Sequence, residues 1–335
     1  MGDVAMTVPV VYALAKSYPN LRVTMLSQPF ARPLFDNLAP NVSFMEADIK
    51  NEYKGIKGLN ALYRRLAAKQ FTAIADLHNV LRSSYLRMRF NLGKNNVAHI
   101  DKHRELRRRL TSAKEKVMEP IPSAFDNYKD VFEKLGYPIK NMDFKSVFNS
   151  TTEPLKPLPS EIGEKKEFQQ WIGIAPFAAH EGKAYPLYKM EEVVSETLRR
   201  HPSARFFLFG GGSKEGEMLK DMANRHKNCT VVPELLHDLR KELQLMSHLD
   251  VMVSMDSANM HLASLVCTPV VSVWGATHPY AGFMGWNQKE ENAVQVEMPC
   301  RPCSIFGNKP CRRGDYACLC QITPISIVDR IEKNL

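Results

Sequence analysis

Residues 250–264 read DVMVSMDSANMHLAS, and residues 269–275 read PVVSVWG. Each opens with a short apolar, β-branched run of strand length, and the spacing between them is helical. Asp256 and Ser257 stand where the first strand ends and the helix opens. The free N–H groups of a first helical turn, with the helix dipole, form a ready site for an anion. Ser257 adds a hydroxyl, and His261 lies one turn further on. The simpler alternative is that Asp256 or Ser257 only caps the helix.

Working outward, WIGIAP (171–176), RFFLFG (205–210) and CTVVP (229–233) are further runs of the same kind. Stretches 188–201, 214–226 and 236–248 between them are long enough for three-turn helices. Strands apolar throughout and separated by helices predict a parallel sheet covered on both faces. Ligands of such sheets lie beyond the carboxyl ends of the strands, so the loops after 176, 210, 255 and 275 are the places to look for chemistry. The first of these, Phe177 to Pro186, is polar and carries Lys183 within reach of a phosphate at the sheet edge, although a surface lysine is usually only solvated. The second holds Gly210, Gly211 and Gly212, which permit close approach of a ligand. It is not a dinucleotide fingerprint, because Glu215 stands at the last glycine position, and no Walker sequence occurs.

The first half repeats the theme with LRVTML (21–26), VSFME (42–46), FTAIADL (71–77) and NVAHI (96–100). The chain opens on Gly2-Asp3 and a helical pattern in which Met6, Val10 and Leu14 share a face, so the first, usually central, strand of this domain is expected to be missing. The Pro-rich stretch 153–160 reads as a linker. The expected domains are therefore 1–160 and 161–322, with a C-terminal helix at 323–335 packing back on the first.

With 335 residues, 44% hydrophobic and 24% charged, the chain fits two globular domains and excludes disordered or fibrous classes. No run of about 18 apolar residues occurs, and the N-terminus lacks the features of a secretory signal, which predicts a cytoplasmic protein. The formal charge of +9 attracts anions. Clustered aromatic and basic motifs of a nucleic-acid binder are absent, so no nucleic-acid partner is expected. Residues 94–116 concentrate Lys102, Arg104, Arg107, Arg108, Arg109 and Lys114, either a solvated helix face or a surface for a polyanion or anionic lipid. Cys300, Cys303, Cys311 and Cys318 have spacing compatible with a structural zinc; the alternative is free thiols or a disulfide.

Five blocks in this order resemble glycosyltransferase family 9, the bacterial heptosyltransferases of the lipopolysaccharide inner core. They are Gly2-Asp3-Val-x-x-Thr7-x-Pro9, Asp76-Leu-His78 with Arg82-Ser83, Lys183-x-Tyr185-Pro186, Asp256-Ser257-x-x-x-His261-Leu262-Ala263, and Gly275-x-Thr277-x-Pro279. The resemblance implies a GT-B architecture, two Rossmann-like doubly wound domains facing a cleft, with acceptor on the first and sugar nucleotide on the second. It implies inverting transfer of a heptose from an ADP-sugar, with no metal or other cofactor required. Asp3 matches the family's proposed general base. Lys183, Tyr185, Gly211, Gly212, Asp256, Ser257, Ala258, His261 and Thr277 are the expected donor contacts, and Thr7, His78, Arg82 and Arg104 the expected acceptor contacts. The chain departs from the family pattern at Ala258, where Gly is usual, and at Tyr185, where Trp is common. The implied partners are a nucleotide sugar and an anionic lipid-linked saccharide at the inner face of the cytoplasmic membrane, met by a monomeric, peripherally attached enzyme. A GT-B enzyme using another nucleotide sugar is the alternative, and a basic nucleic-acid-binding protein the remote one.

Overall fold

In a computed structural model of the chain, residues 1–148, 158 and 162–335 are described. The expected linker at 153–160 lies outside them apart from Leu158. Two compact units result, the first built from residues 3–103 and 122–148 and the second from 104–121 and 162–335.

The first unit begins with α1 (Gly2–Ser17), which buries Ala5 to Val11 and Ala13 to Ala15. A helix buried nearly all round has to be covered on every side, which its apolar sequence allows. β1 (Val23–Ser27) pairs in parallel with β2 (Val42–Glu46), Val23 opposite Val42. After α2 (Gly55–Ala67), β3 (Ala73–Asp76) leads into α3 (Leu81–Leu92) and pairs in parallel with β4 (Asn96–His99). The four expected strands are present, joined as two separate pairs. Met45, Tyr53, Leu62, Leu66 and Phe90 form the core beneath α2 and α3.

The next helix, α4 (Arg104–Leu110), belongs to the second unit, and α5 (Ala124–Lys134) returns to the first. This corrects the expected boundary. Leu110 and Ile121 bury against Ala281 and Ile305, and Lys116 donates to the carbonyls of Pro299 (3.2 Å) and Pro302 (3.0 Å). Segment 104–121 therefore finds its core with residues distant in sequence.

The second unit holds β5 (Trp171–Ala175), α6 (Leu187–Arg200), β6 (Arg205–Leu208), α7 (Gly212–Arg225), β7 (Cys229–Val231) and α8 (Val232–Leu235). It continues with α9 (Leu239–Met246), β8 (Val251–Met255), α10 (Ala258–Ser264), β9 (Val270–Val273), β10 (Ala293–Val294), α11 (Ala317–Cys320) and α12 (Pro324–Glu332). All six strands are parallel, in the order β10-β9-β8-β5-β6-β7. Counted within the unit, this is the 3-2-1-4-5-6 order of a doubly wound sheet, and the order reverses between β5 and β8. Every residue of β5, β8 and β9 is buried, as their unbroken apolar runs predict.

The C-terminal helix also differs from expectation. α12, opened by Thr323 as cap and Pro324 at its first position, packs on α6 and beside β9 and β10. Its Ile327, Val328 and Ile331 are wholly buried in the core of the second unit with Met190, Val193 and Val194, so the apolar face that was to return to the first domain is consumed within the second.

Candidate active site

The loops after β5 and β8 leave the sheet at the point where strand order reverses, so the side chains they carry meet there. Lys183 sits on a short helical turn, Glu181–Lys183, after β5, and Asp256 follows β8 directly. Lys183 Nζ lies 3.3 Å from Asp256 Oδ2, with side chains 15% and 6% exposed. Burial pushes the Asp256 carboxyl above its ordinary pKa, while the Lys183 charge and the Thr277 hydroxyl oppose that rise. His261 is buried on α10, and burial together with the Lys183 charge pushes its pKa down to about 3. The imidazole is therefore neutral at pH 7.

Within this cluster Asp256 Oδ2 is met by Lys183 and by the Thr277 hydroxyl, whereas the buried His261 Nδ1 makes no hydrogen bond. Buried polar groups left unmatched cost about 1–3 kcal/mol each, and they are tolerated where a ligand completes them. Ser257 stands in extended conformation before Ala258, the first residue of α10, and its side chain makes no capping bond. Its hydroxyl lies instead 3.3 Å from that of Ser254. Capping is thus not the role of Ser257.

Other expected donor contacts are placed differently. Tyr185 is buried, donating its hydroxyl to the carbonyl of Ile322 at 3.0 Å, and belongs to the packing of the core. Gly211 gives its N–H to the Glu215 carboxylate at 2.8 Å, and Gly212 adopts φ +77°, a conformation that favours glycine. An acidic side chain of the chain itself thus occupies the N–H of the turn where close approach of a ligand was anticipated.

One residue that sequence reasoning missed organises the site from behind. Arg301 is 3% exposed, and its guanidinium donates to the carbonyls of Gly275, Val296 and Thr277 and to Gln295 Oε1. It thereby fixes the segment that carries Thr277. The same segment meets the turn of Lys183, since Ala276 N–H donates to the Gly182 carbonyl at 2.7 Å. Only glycine fits at 275, where a Cβ would stand 2.6 Å from that carbonyl. Gly307 in turn lies against the methylenes of Lys183. The signal for Arg301 in the sequence is its place between Cys300 and Cys303.

In the first unit, Asp3 projects from the first turn of α1, where an acid suits the helix dipole. His78 Nε2 lies 3.9 Å from Asp3 Oδ2, with both side chains more than half exposed. Buried Asp76, ending β3, accepts from the backbone N–H groups of His78 (3.0 Å) and Asn79 (2.8 Å) and pairs with Arg87 at 2.9 Å. Asp76 therefore shapes the turn that presents His78. Arg82 is exposed on the first turn of α3. Thr7 is buried and returns its hydroxyl to the Val4 carbonyl at 2.7 Å, so it serves the helix instead of facing an acceptor. Arg104 begins α4, within the second unit.

Of the two readings of the C-terminal cysteines, zinc or thiols, the described residues show thiols. Cys300, Cys303, Cys311 and Cys318 line one cavity of about 270 Å³ with Arg301, Arg312 and Arg313. All are free thiols, and among the described residues no three Cys, His, Asp or Glu side chains come together as ligands. Burial pushes Cys318 up to about 11, which keeps it a neutral thiol.

A model described as glycosyltransferase family 9 (heptosyltransferase) matches residues 59–313. The chain belongs to glycosyltransferase family 9. It is 22% identical over 294 residues to lipopolysaccharide heptosyltransferase 1 of Campylobacter coli, covering 84% of this chain and 82% of that one. It is 20% identical over 342 residues to lipooligosaccharide heptosyltransferase 2 of Campylobacter jejuni, covering 99% and 96%. Among solved structures it is similar to E. coli heptosyltransferase WaaC with ADP, at TM-score 0.68, 18% identity and coverage of 100% and 97%. It is also similar to the glycosyl transferase family 9 protein of Veillonella parvula, at TM-score 0.72, 19% identity and coverage of 100% and 94%. This family 9 protein is thus a glycosyltransferase of GT-B fold.

Proposed function

We propose that this family 9 enzyme moves a heptose from an ADP-activated donor to an anionic, lipid-linked acceptor of the lipopolysaccharide core, with inversion and without a metal. The observation that carries the reading is the buried Lys183–Asp256 pair at the reversal point of the sheet, beside the unmatched Nδ1 of His261. A donor diphosphate adds anionic oxygens for Lys183 and a hydrogen-bonding partner for His261. The relatives named for heptose transfer to lipopolysaccharide, and the solved relative holding ADP, support the choice of sugar and nucleotide.

The chemistry follows from charge. Inverting transfer has the acceptor oxygen attack the anomeric carbon on the face opposite the leaving diphosphate, through an oxocarbenium-like transition state. Asp3 takes the acceptor's hydroxyl proton as that bond forms. The diphosphate gains negative charge as it leaves, and Lys183 is the fixed positive group that receives it. Neutral His261 is a hydrogen-bonding partner there, not a second cation. Among the described residues no helix is long and apolar enough to cross a membrane; attachment is proposed to be peripheral, at the cytoplasmic face of the inner membrane.

A calorimetric screen of nucleotide sugars tests this. ADP-heptose is expected to bind, and Lys183→Ala to weaken it by about 100-fold, the scale of a charge-assisted phosphate contact in a buried site. Preference for a uridine or guanosine sugar would favour a GT-B enzyme of another donor class. Equal binding by the variant would remove Lys183 from the site.

A further inference from the structure

Helix α3 is apolar on two opposite faces. Leu86 and Phe90 face inward, Phe90 packing in the core beneath α2. On the other side Leu81, Met88 and Leu92 recur at spacings of seven and four, which sets them in one stripe. They are 92%, 49% and 76% exposed. A single exposed leucine is ordinary, but an outward stripe calls for a partner. Ile56, 68% exposed, begins α2. That helix is tied to α3 through Asn60, whose side-chain oxygen accepts from Tyr85 Oη and Arg89, both at 2.8 Å.

Within α2 and α3 the charges are of one sign. α2 brings Lys57, Arg64 and Arg65, α3 brings Arg82, Arg87 and Arg89, and neither helix contains Asp or Glu. Arg87 is held by Asp76, and Arg89 lies over the Tyr63 ring at 4.6 Å. Lys57, Arg64 and Arg82 are exposed. Apolar side chains bordered by acid-free basic ones fit a surface that is itself apolar beneath and anionic above.

The geometry points to the outer face of α3, with the first turn of α2, as the surface by which this protein lies on an anionic lipid bilayer. Leu81, Met88 and Leu92 enter the acyl boundary, while Arg82 and Lys57 meet headgroup phosphates. The turn carrying His78, which contacts Asp3, leads directly into α3. The bilayer is thereby set beside the carboxylate assigned to the acceptor. That last point rests on the proposed lipid-linked acceptor; the lipid contact itself does not.

Sedimentation of the full chain with vesicles tests it. Wild type is expected to bind phosphatidylglycerol/phosphatidylcholine vesicles, less so in high salt, and to bind phosphatidylcholine alone weakly. The triple variant Leu81→Ser, Met88→Ser, Leu92→Ser should bind about tenfold more weakly, with unchanged ADP affinity and melting temperature. It should also keep transfer onto a delipidated, water-soluble acceptor. Absence of wild-type binding, indifference to lipid charge, or equal binding by the triple variant would overturn the assignment. Loss of transfer with vesicle binding intact would instead count against the proposed reaction.

Discussion

His261 and His278 are two residues whose protonation the fold resists. Burial holds the first at about 3 and the second at about 4. In the unfolded chain each titrates near 6.5, so below that pH the unfolded state takes up protons that the native state refuses. Stability therefore falls as pH drops from about 6.5 towards these values. One imidazole kept neutral costs about 2 kcal/mol at pH 5 by this linkage. His261→Gln should show a smaller drop in melting temperature between pH 7 and pH 5 than wild type; an identical drop would mean that His261 is not held neutral. Arg301 makes a second residue-scale claim. Arg301→Met would strand the carbonyls of Gly275, Val296 and Thr277, at a cost of about 3 kcal/mol or more. Because Thr277 would lose its anchor, donor KM should rise more than kcat falls, and Arg301→Lys should restore part of it. A stability loss with donor KM unchanged would reduce Arg301 to a packing role.

At the scale of elements, α12, like α4, belongs to the second unit where the first was expected. Ile331 is wholly buried with Val328 and Ile327, so Ile331→Ala should cost about 2–5 kcal/mol in urea unfolding monitored on the second unit. A cost under about 1 kcal/mol would mean the helix is loosely held. The strands of that unit were legible because burial on both faces leaves an unbroken apolar run, as in Trp171–Ala175 and Val251–Met255. Helix 188–201 was equally legible, lying within one residue of α6 at each end. Strand order was not legible, since pairing β5 with β8 is a contact between distant segments and leaves no local periodicity. The same holds for segment 104–121, a run of basic residues whose core partners come from residues 281 and 305. Tyr185 and Thr7 each lie in a motif block, yet the polar atom of each is turned to a main-chain carbonyl, which no local pattern announces. Asp256 and His261 were legible as a position, because a strand end followed by a helix start is visible in sequence, and the structure sets Lys183 beside Asp256.

For the whole molecule, the family match covers residues 59–313 and the structural likeness the full chain, so the fold and the class of reaction rest on more than any one motif. The +9 charge is unevenly used: acid-free α2 and α3 carry part of it on the first unit, while Lys183 applies one positive charge to a buried site in the second. The central claim is a division of labour, in which Asp3 accepts the proton and the Lys183–Asp256 cluster holds the leaving diphosphate. Asp3→Asn is nearly the same size and removes only the basic oxygen, so it separates binding from chemistry. Side by side, ADP-heptose affinity by calorimetry and single-turnover transfer to the lipid-linked acceptor should show unchanged donor affinity and transfer slowed at least about 1000-fold. Transfer by Asp3→Asn within tenfold of wild type would contradict the account, because the acceptor proton would then leave by another route.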